Sequence, residues 1–186
     1  MDTPNSRRDL VGILKLAYSG ERAAAYAYRG HAKTATDPEE RDRIRAIEEE
    51  EWHHRSLVGE MLAALGERPS AAREARGAIM GRTLGLLCFL SGWFLPMYAA
   101  GRLESRNIKE YEAAARHARA GGHGELTDSL LEMAEVEWDH EAYFRSRIIL
   151  HPWVRWFPLW QSPPPRETIR SSFSGEHGEP GNSDGA

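Results

Sequence analysis

Cysteine is almost missing from this chain: Cys88 is the only one in 186 residues. A single thiol excludes an intramolecular disulfide framework and any zinc site built on several cysteines, and it suits a reducing compartment. Basic charge is not in excess either. The 24 Lys and Arg are outnumbered by 28 Asp and Glu, for a net charge of −4. The basic footprint that nucleic-acid binding requires is therefore missing, and no nucleic-acid partner is expected. No segment alternates polar and apolar residues as a half-buried strand does. No sustained apolar run follows Arg7-Arg8, so no cleaved secretory signal is expected. What is present is ordinary globular composition. With 41% hydrophobic and 28% charged residues, the body of the chain has enough apolar surface to build one domain with a sizeable core.

Four long segments carry helical periodicity, which predicts an all-α fold. The first, residues 8–33, has a stripe of Leu10, Leu14, Ala17, Glu21, Ala24 and Tyr28, stepping by three and four. The second follows Asp37-Pro38, a helix cap and a first helical residue, and runs to Leu65 before Gly66. Its stripe is Ile44, Ile47, Glu51, His54, Val58 and Met61. The third, residues 71–120, should kink or break at Gly92 and Pro96. Its stripe is Leu86, Leu90, Trp93, Met97, Ala100, Glu104, Asn107 and Tyr111. The fourth, residues 124–150, carries Leu126, Leu130, Met133, Glu137, His140 and Phe144.

Each stripe contains acidic or histidine residues where an apolar one belongs. An ionised carboxylate buried without a partner is costly, so six such intruders on four helices call for a common partner. Their spacing repeats. Glu21 is followed by Tyr28 and then by Glu51-Trp52-His53-His54; Glu104 is followed by Tyr111 and then by Glu137-Trp138-Asp139-His140. Each half reads as a helical hairpin with one lone Glu and one Glu-Trp-x-His, and two hairpins make a pseudo-symmetric four-helix bundle. Glu and His three residues apart share a helix face. Glu21, Glu51, His54, Glu104, Glu137 and His140 can thus converge in the bundle interior, the arrangement known for two-metal carboxylate bundles. Mixed carboxylate and imidazole ligands suit two iron ions, with manganese open as the alternative. Tyr28 and Tyr111 are candidate hydrogen-bond partners of these ligands or plain core aromatics.

Residues 50–54 offer two registers, Glu50 with His53 or Glu51 with His54. The stripe through 44, 47, 51, 54, 58 and 61 is apolar, whereas the seam through Glu50 and His53 is mostly polar, so the second pair is chosen. Glu48, Glu49, Glu50, Glu60 and Glu112 read as solvated faces, and Trp52 and Trp138 as packing between helices.

Residues 83–101 carry no charge, yet Gly92 and Pro96 interrupt them. They suit an apolar substrate pocket or a helix lying in a membrane interface better than a membrane span. Trp153, Trp156 and Trp160, interleaved with Arg155, read as an interfacial anchor, and a strap packed on the bundle is the competing reading. The expected organisation is a flexible N-terminus over 1–7, the bundle over 8–150, a Trp-rich interfacial strap over 151–161 and a disordered tail over 162–186.

Over roughly residues 13–148 the chain resembles the demethoxyubiquinone hydroxylase family. The resemblance rests on Gly20-Glu21 with Tyr28-Arg29-Gly30, on Glu51-x-x-His54 followed by Glu67-Arg68-Pro69-Ser70, on the Leu-rich run into Arg102-Leu103-Glu104, and on Glu137-x-x-His140. Ala17-Tyr18-Ser19 and Glu110 stand where the family carries an Asp-His and a His. The resemblance implies a ferritin-like di-iron fold on the cytoplasmic surface of a membrane, peripherally attached. It implies oxygen-dependent hydroxylation of an apolar, prenylated quinol, with no catalytic side chain beyond the metal ligands. A homo-oligomer stays open. The alternative is a rubrerythrin- or ferritin-like protein that reduces peroxide or oxidises iron, against which stands the lack of a Cys-x-x-Cys pair. A membrane-attached adaptor with a structural metal site comes third.

Overall fold

The computed structural model describes residues 3–174 and, among them, six α-helices and no strand. These are α1 (Thr3–Thr34), α2 (Pro38–Ala64), α3 (Ala71–Ser91), α4 (Phe94–Ala120), α5 (Thr127–Ile148) and α6 (Glu167–Ser174). Helix α2 begins as its sequence requires: the Asp37 carboxylate accepts from the Glu39 amide at 3.0 Å, and Pro38 occupies the first turn. It ends at Gly66, whose φ of 70° lets the Glu67 amide reach back to the Leu62 carbonyl at 2.8 Å. Gly122 ends α4 in the same way, with the His123 amide on the Ala118 carbonyl at 2.8 Å.

Helices α1, α2, α4 and α5 form the ferritin-like four-helix bundle, α1 lying along α2 and α4 along α5. The apolar segment before Glu104 breaks in two at Gly92 (φ 72°), and Pro96 falls in the first turn of α4, where no intrahelical partner for its nitrogen is needed. This break carries α3 outside the bundle, onto the far side of α1. The crossing is close because Gly77, Gly81 and Gly85 of α3 lie on the α1 backbone at Ser19, Ala23, Tyr26 and Gly30. Leu86 and Leu90, expected on the interior stripe, are instead 66% and 81% exposed. Beyond the break their register no longer follows that of α4.

Residues on both flanks of the bundle that composition marks as irregular are helical. Residues 3–7, expected to be flexible, open α1, and the Arg7 guanidinium donates to the Leu65 carbonyl at 2.7 Å. Part of the expected disordered tail forms α6, which buries Ile169 and Phe173 against the core that holds Leu14, Leu62 and Leu130. Two apolar residues four apart make too short a stripe to stand out in sequence. The rest of that expectation, residues 175–186, lies outside the described residues. The strap between α5 and α6 is divided. Trp160 packs on Gly101 and donates to Glu141 at 2.7 Å, whereas Trp156 is 72% exposed. Among the described residues, no helix is long and apolar enough to cross a membrane.

Candidate metal centre

The bundle has two apolar layers, one around Leu14, Leu62, Met133 and Leu130, the other around Ile44, Ile47, Met97 and Phe144. Between them along α2, and likewise along α5, lie the polar intruders. Glu21, Glu51, His54, Glu104, Glu137 and His140 are all buried and meet in one place. They divide into two sets of four whose ligand atoms lie within 4.8 Å of one another: Glu21, Glu51, His54 and Glu137, then Glu51, Glu104, Glu137 and His140. Glu51 and Glu137 belong to both sets. Each set thus takes its lone Glu and its His from one hairpin and borrows a carboxylate from the other.

Imidazole and carboxylate atoms approach closely: His54 Nδ1 lies 3.2 Å from Glu137 Oε1, and His140 Nδ1 lies 3.4 Å from Glu51 Oε1 and 3.5 Å from Glu137 Oε2. Atoms bound to one cation at about 2.1 Å stand roughly 3 Å apart, so these are spacings of a shared coordination shell. Glu21 Oε2, both oxygens of Glu51 and Glu137, and Nδ1 of His54 and His140 are buried without a hydrogen-bond partner. Buried polar atoms are ordinarily paired, and here the unpaired ones converge. The donor set fits divalent cations, and the residues could hold two.

The tyrosines cross between the hairpins. The Tyr28 hydroxyl donates to Glu104 Oε1, and the Tyr111 hydroxyl to Glu21 Oε1. The two half-sites nevertheless differ. Asn107 Nδ2 donates to the second oxygen of Glu104 at 2.9 Å, whereas the pseudo-equivalent position after Glu21 is Ala24. His140 Nε2 hydrogen-bonds Glu50 at 2.6 Å, an acidic partner that turns Nδ1 toward the cluster. The position matching Glu50 on α5 is Val136. Glu50 thus falls outside both sets of four, yet it is not a purely solvated residue. It is 40% exposed and bridges His140 to Arg43 at 3.2 Å.

The electrostatics follow from four carboxyls in one dry space. Burial drives the Glu51 and Glu104 carboxyls well above the usual range, and the neighbouring carboxylates add to it. Glu21 is raised by burial as well, against the pull of its hydrogen bonds. Burial also opposes ionisation of Glu137, but the His140 and His54 imidazoles beside it outweigh that and hold the carboxyl below its ordinary value. Burial disfavours a charged His140, yet Glu137 and Glu50 overcome this and raise it to about 10. Tyr28 and Tyr111, buried beside carboxylates, are raised well above a free phenol and remain donors. Without a cation the cluster must hold protons; a cation would replace them.

A second feature adjoins the cluster. A cavity of about 370 Å³ lies between α1, α3 and α4, walled by Leu84, Leu87, Leu95, Pro96 and Leu103, with Tyr28 and His31 on its α1 side. His31 was not singled out in the sequence, although it stands three residues beyond Tyr28 on the same helix face. A buried four-helix carboxylate–histidine cluster joined through a tyrosine to an apolar cavity defines a class, that of ferritin-like carboxylate bundles. Residues 8–113, more than half the chain, match the family of the ubiquinone biosynthesis protein COQ7, and the chain belongs to that family. The match ends before Glu137 and His140, so the second Glu-x-x-His rests on sequence repeat and geometry. The chain is also similar to the 3-demethoxyubiquinol 3-hydroxylases of Francisella tularensis subsp. novicida (strain U112) and subsp. tularensis (strain SCHU S4 / Schu 4). Each is 34% identical over 64 residues, 34% of this chain and 30% of the relative. The similarity thus spans less than a third of those relatives' length. No solved structure gives a significant match.

Proposed function

We propose that this protein is a di-iron, oxygen-dependent hydroxylase acting on an apolar, prenylated quinol at the cytoplasmic surface of a membrane. The observation that carries this reading is the direct path from cavity to cluster, since Tyr28 both lines the apolar cavity and hydrogen-bonds Glu104. Glu21, Glu51, His54 and Glu137 would hold one iron, and Glu51, Glu104, Glu137 and His140 the other. Bound there, two irons supply the redox chemistry that activates dioxygen. Manganese remains open for the same ligands.

The chain's own residues account for the rest. Four carboxylates balance two divalent charges, so the loaded site is neutral and stable in an apolar interior. Tyr28 and Tyr111 fix the lone glutamates, Asn107 fixes Glu104 from its other side, and Glu50 fixes His140. The leucine walls bind a prenyl tail by burial, worth about 25 cal/mol per Å², and exclude water from the reacting ring. The net reaction places one oxygen atom of O₂ in a ring C–H bond and releases the other as water. It consumes two electrons from an external donor and two protons.

Membrane attachment is supported by α3, where Ile79, Leu86, Phe89 and Leu90 are exposed, and by exposed Leu150 and Trp156. Contiguous apolar exposure of this kind marks an interaction surface. The functional test is incubation of the iron-loaded protein with a demethoxyquinol, a reductant and labelled oxygen. Label in the ring, lost in His140→Ala, supports the reading. Absence of label with rapid turnover of hydrogen peroxide would favour the peroxide-reducing alternative.

A further inference from the structure

We propose that His31 is the polar recognition residue of the apolar cavity, its imidazole hydrogen-bonding an oxygen on the substrate's ring. The inference rests on the functional reading above and deepens it. His31 is 3% exposed and lines the cavity one turn beyond Tyr28. Its ring stacks on Phe144 at 6.2 Å, and Phe144 stacks on Tyr28 at 5.7 Å, so the buried Phe144 backs the two rings that line the cavity. The other polar groups on the cavity are either engaged or peripheral. The Tyr28 hydroxyl is committed to Glu104, the Cys88 thiol donates to the Leu84 carbonyl at 3.2 Å, and Ser91 is the partly exposed last residue of α3.

His31 alone is both deeply buried and unengaged: no described residue forms a hydrogen bond or ion pair with its imidazole. A core histidine kept only for packing ordinarily satisfies its nitrogens. Here the ring lines a cavity of otherwise apolar walls, where a ligand oxygen would complete it. Burial lowers the imidazole to about 4, so it is neutral at physiological pH and offers one N–H and one lone pair. It can therefore accept from a quinol hydroxyl or donate to a quinone carbonyl without gaining charge. A ring held there lies against Tyr28, the tyrosine that touches Glu104. Its prenyl tail runs past Leu84, Leu87 and Leu95 toward the exposed face of α3.

The test measures binding by the iron-loaded full chain of a short-chain prenylated benzoquinone and of the matching prenylated toluene, which has no ring oxygen. In His31→Leu, the dissociation constant for the quinone should rise about tenfold, the usual effect of losing one buried hydrogen bond, while the toluene binds at least as well as before. His31→Gln, which restores a donor and an acceptor, should recover most of the loss. Iron content should be unchanged in both variants. The quinone carbonyl stretch, lowered in the wild-type complex, should return to its unbound frequency in His31→Leu. If His31→Leu binds the quinone as tightly as wild type, or weakens both ligands equally, the proposal is wrong while the functional reading stands. If wild type binds neither ligand, both fall together.

Discussion

Helices α3 and α1 cross closely at their glycines, and a methyl group added there should act oppositely to one added elsewhere on α1. A Cβ at Gly81 would sit 2.2 Å from the Ala23 carbonyl oxygen and 2.7 Å from its Cα. Both are backbone atoms, so no side chain can swing aside, and the helices must separate by about 1 Å to restore ordinary contact. Gly12 is also helical, but nothing lies within 4 Å of its would-be Cβ. Either Gly→Ala change gains about 1 kcal/mol in helix propensity. At Gly12 that gain is unopposed. At Gly81 overpacking costs typically 1–3 kcal/mol, and lifting α3 also loosens the wall that Leu84 and Leu87 give the cavity. The net expectation is destabilisation by up to roughly 2 kcal/mol for Gly81→Ala, a fall of up to roughly 4–8 °C in Tm for a chain of this size. The Tm of Gly12→Ala should instead rise by roughly 2–4 °C. Thermal melts of both variants, followed by circular dichroism, decide the matter. Equal or greater stability of Gly81→Ala relative to Gly12→Ala would refute the close crossing.

Three further outcomes are expected. Glu50→Ala should weaken metal binding about 10- to 100-fold in chelator competition, the usual cost of losing a ligand's supporting partner, without lowering stoichiometry at saturating metal. An unchanged affinity would show that the Glu50 contact does not support His140. The His31 imidazole, at about 4 against an ordinary 6.5, takes up its proton in the unfolded chain first. Its contribution to stability is therefore full above the unfolded value and is lost as pH falls toward 4, by roughly 2 kcal/mol between pH 7 and pH 5. Denaturant titrations at both pH values should show that much less acid sensitivity in His31→Leu; identical sensitivity would mean that the site is not dry. Liposome flotation should carry the protein to the lipid fraction, and Leu86→Glu with Leu90→Glu should release it. Protein that never floats, even at low salt, contradicts the membrane assignment.

The parts of this fold that were readable in sequence are those that depend on local periodicity. The seam through Ile44, Ile47, Glu51, His54 and Val58 named the buried face of α2, and its register distinguished Glu51 from Glu50 before any geometry was known. The repeat of Glu, Tyr and Glu-Trp-x-His displayed the hairpins. What periodicity cannot show is the partner across the bundle. Tyr28 stands seven residues from Glu21 but hydrogen-bonds Glu104, and Tyr111 reaches back to Glu21. Glu50 looked solvated because its own helix places it off the seam, whereas α5 brings His140 within reach. Asn107 was on the stripe without a role, and His31 was hidden because its meaning comes from the cavity that α3 closes. The exposure of Leu86 and Leu90 likewise depends on the break at Gly92, which redirects a stripe that is otherwise continuous.

The central claim, that six buried side chains form a two-metal site, is tested most directly by anaerobic loading with ferrous iron followed by elemental analysis. The wild-type chain should retain about two irons, one for each half-site. Glu51→Ala and Glu137→Ala, which each remove a residue common to both sets of four, should retain less than about one. Wild-type protein holding less than about half an equivalent, or either variant holding as much iron as wild type, would contradict the assignment.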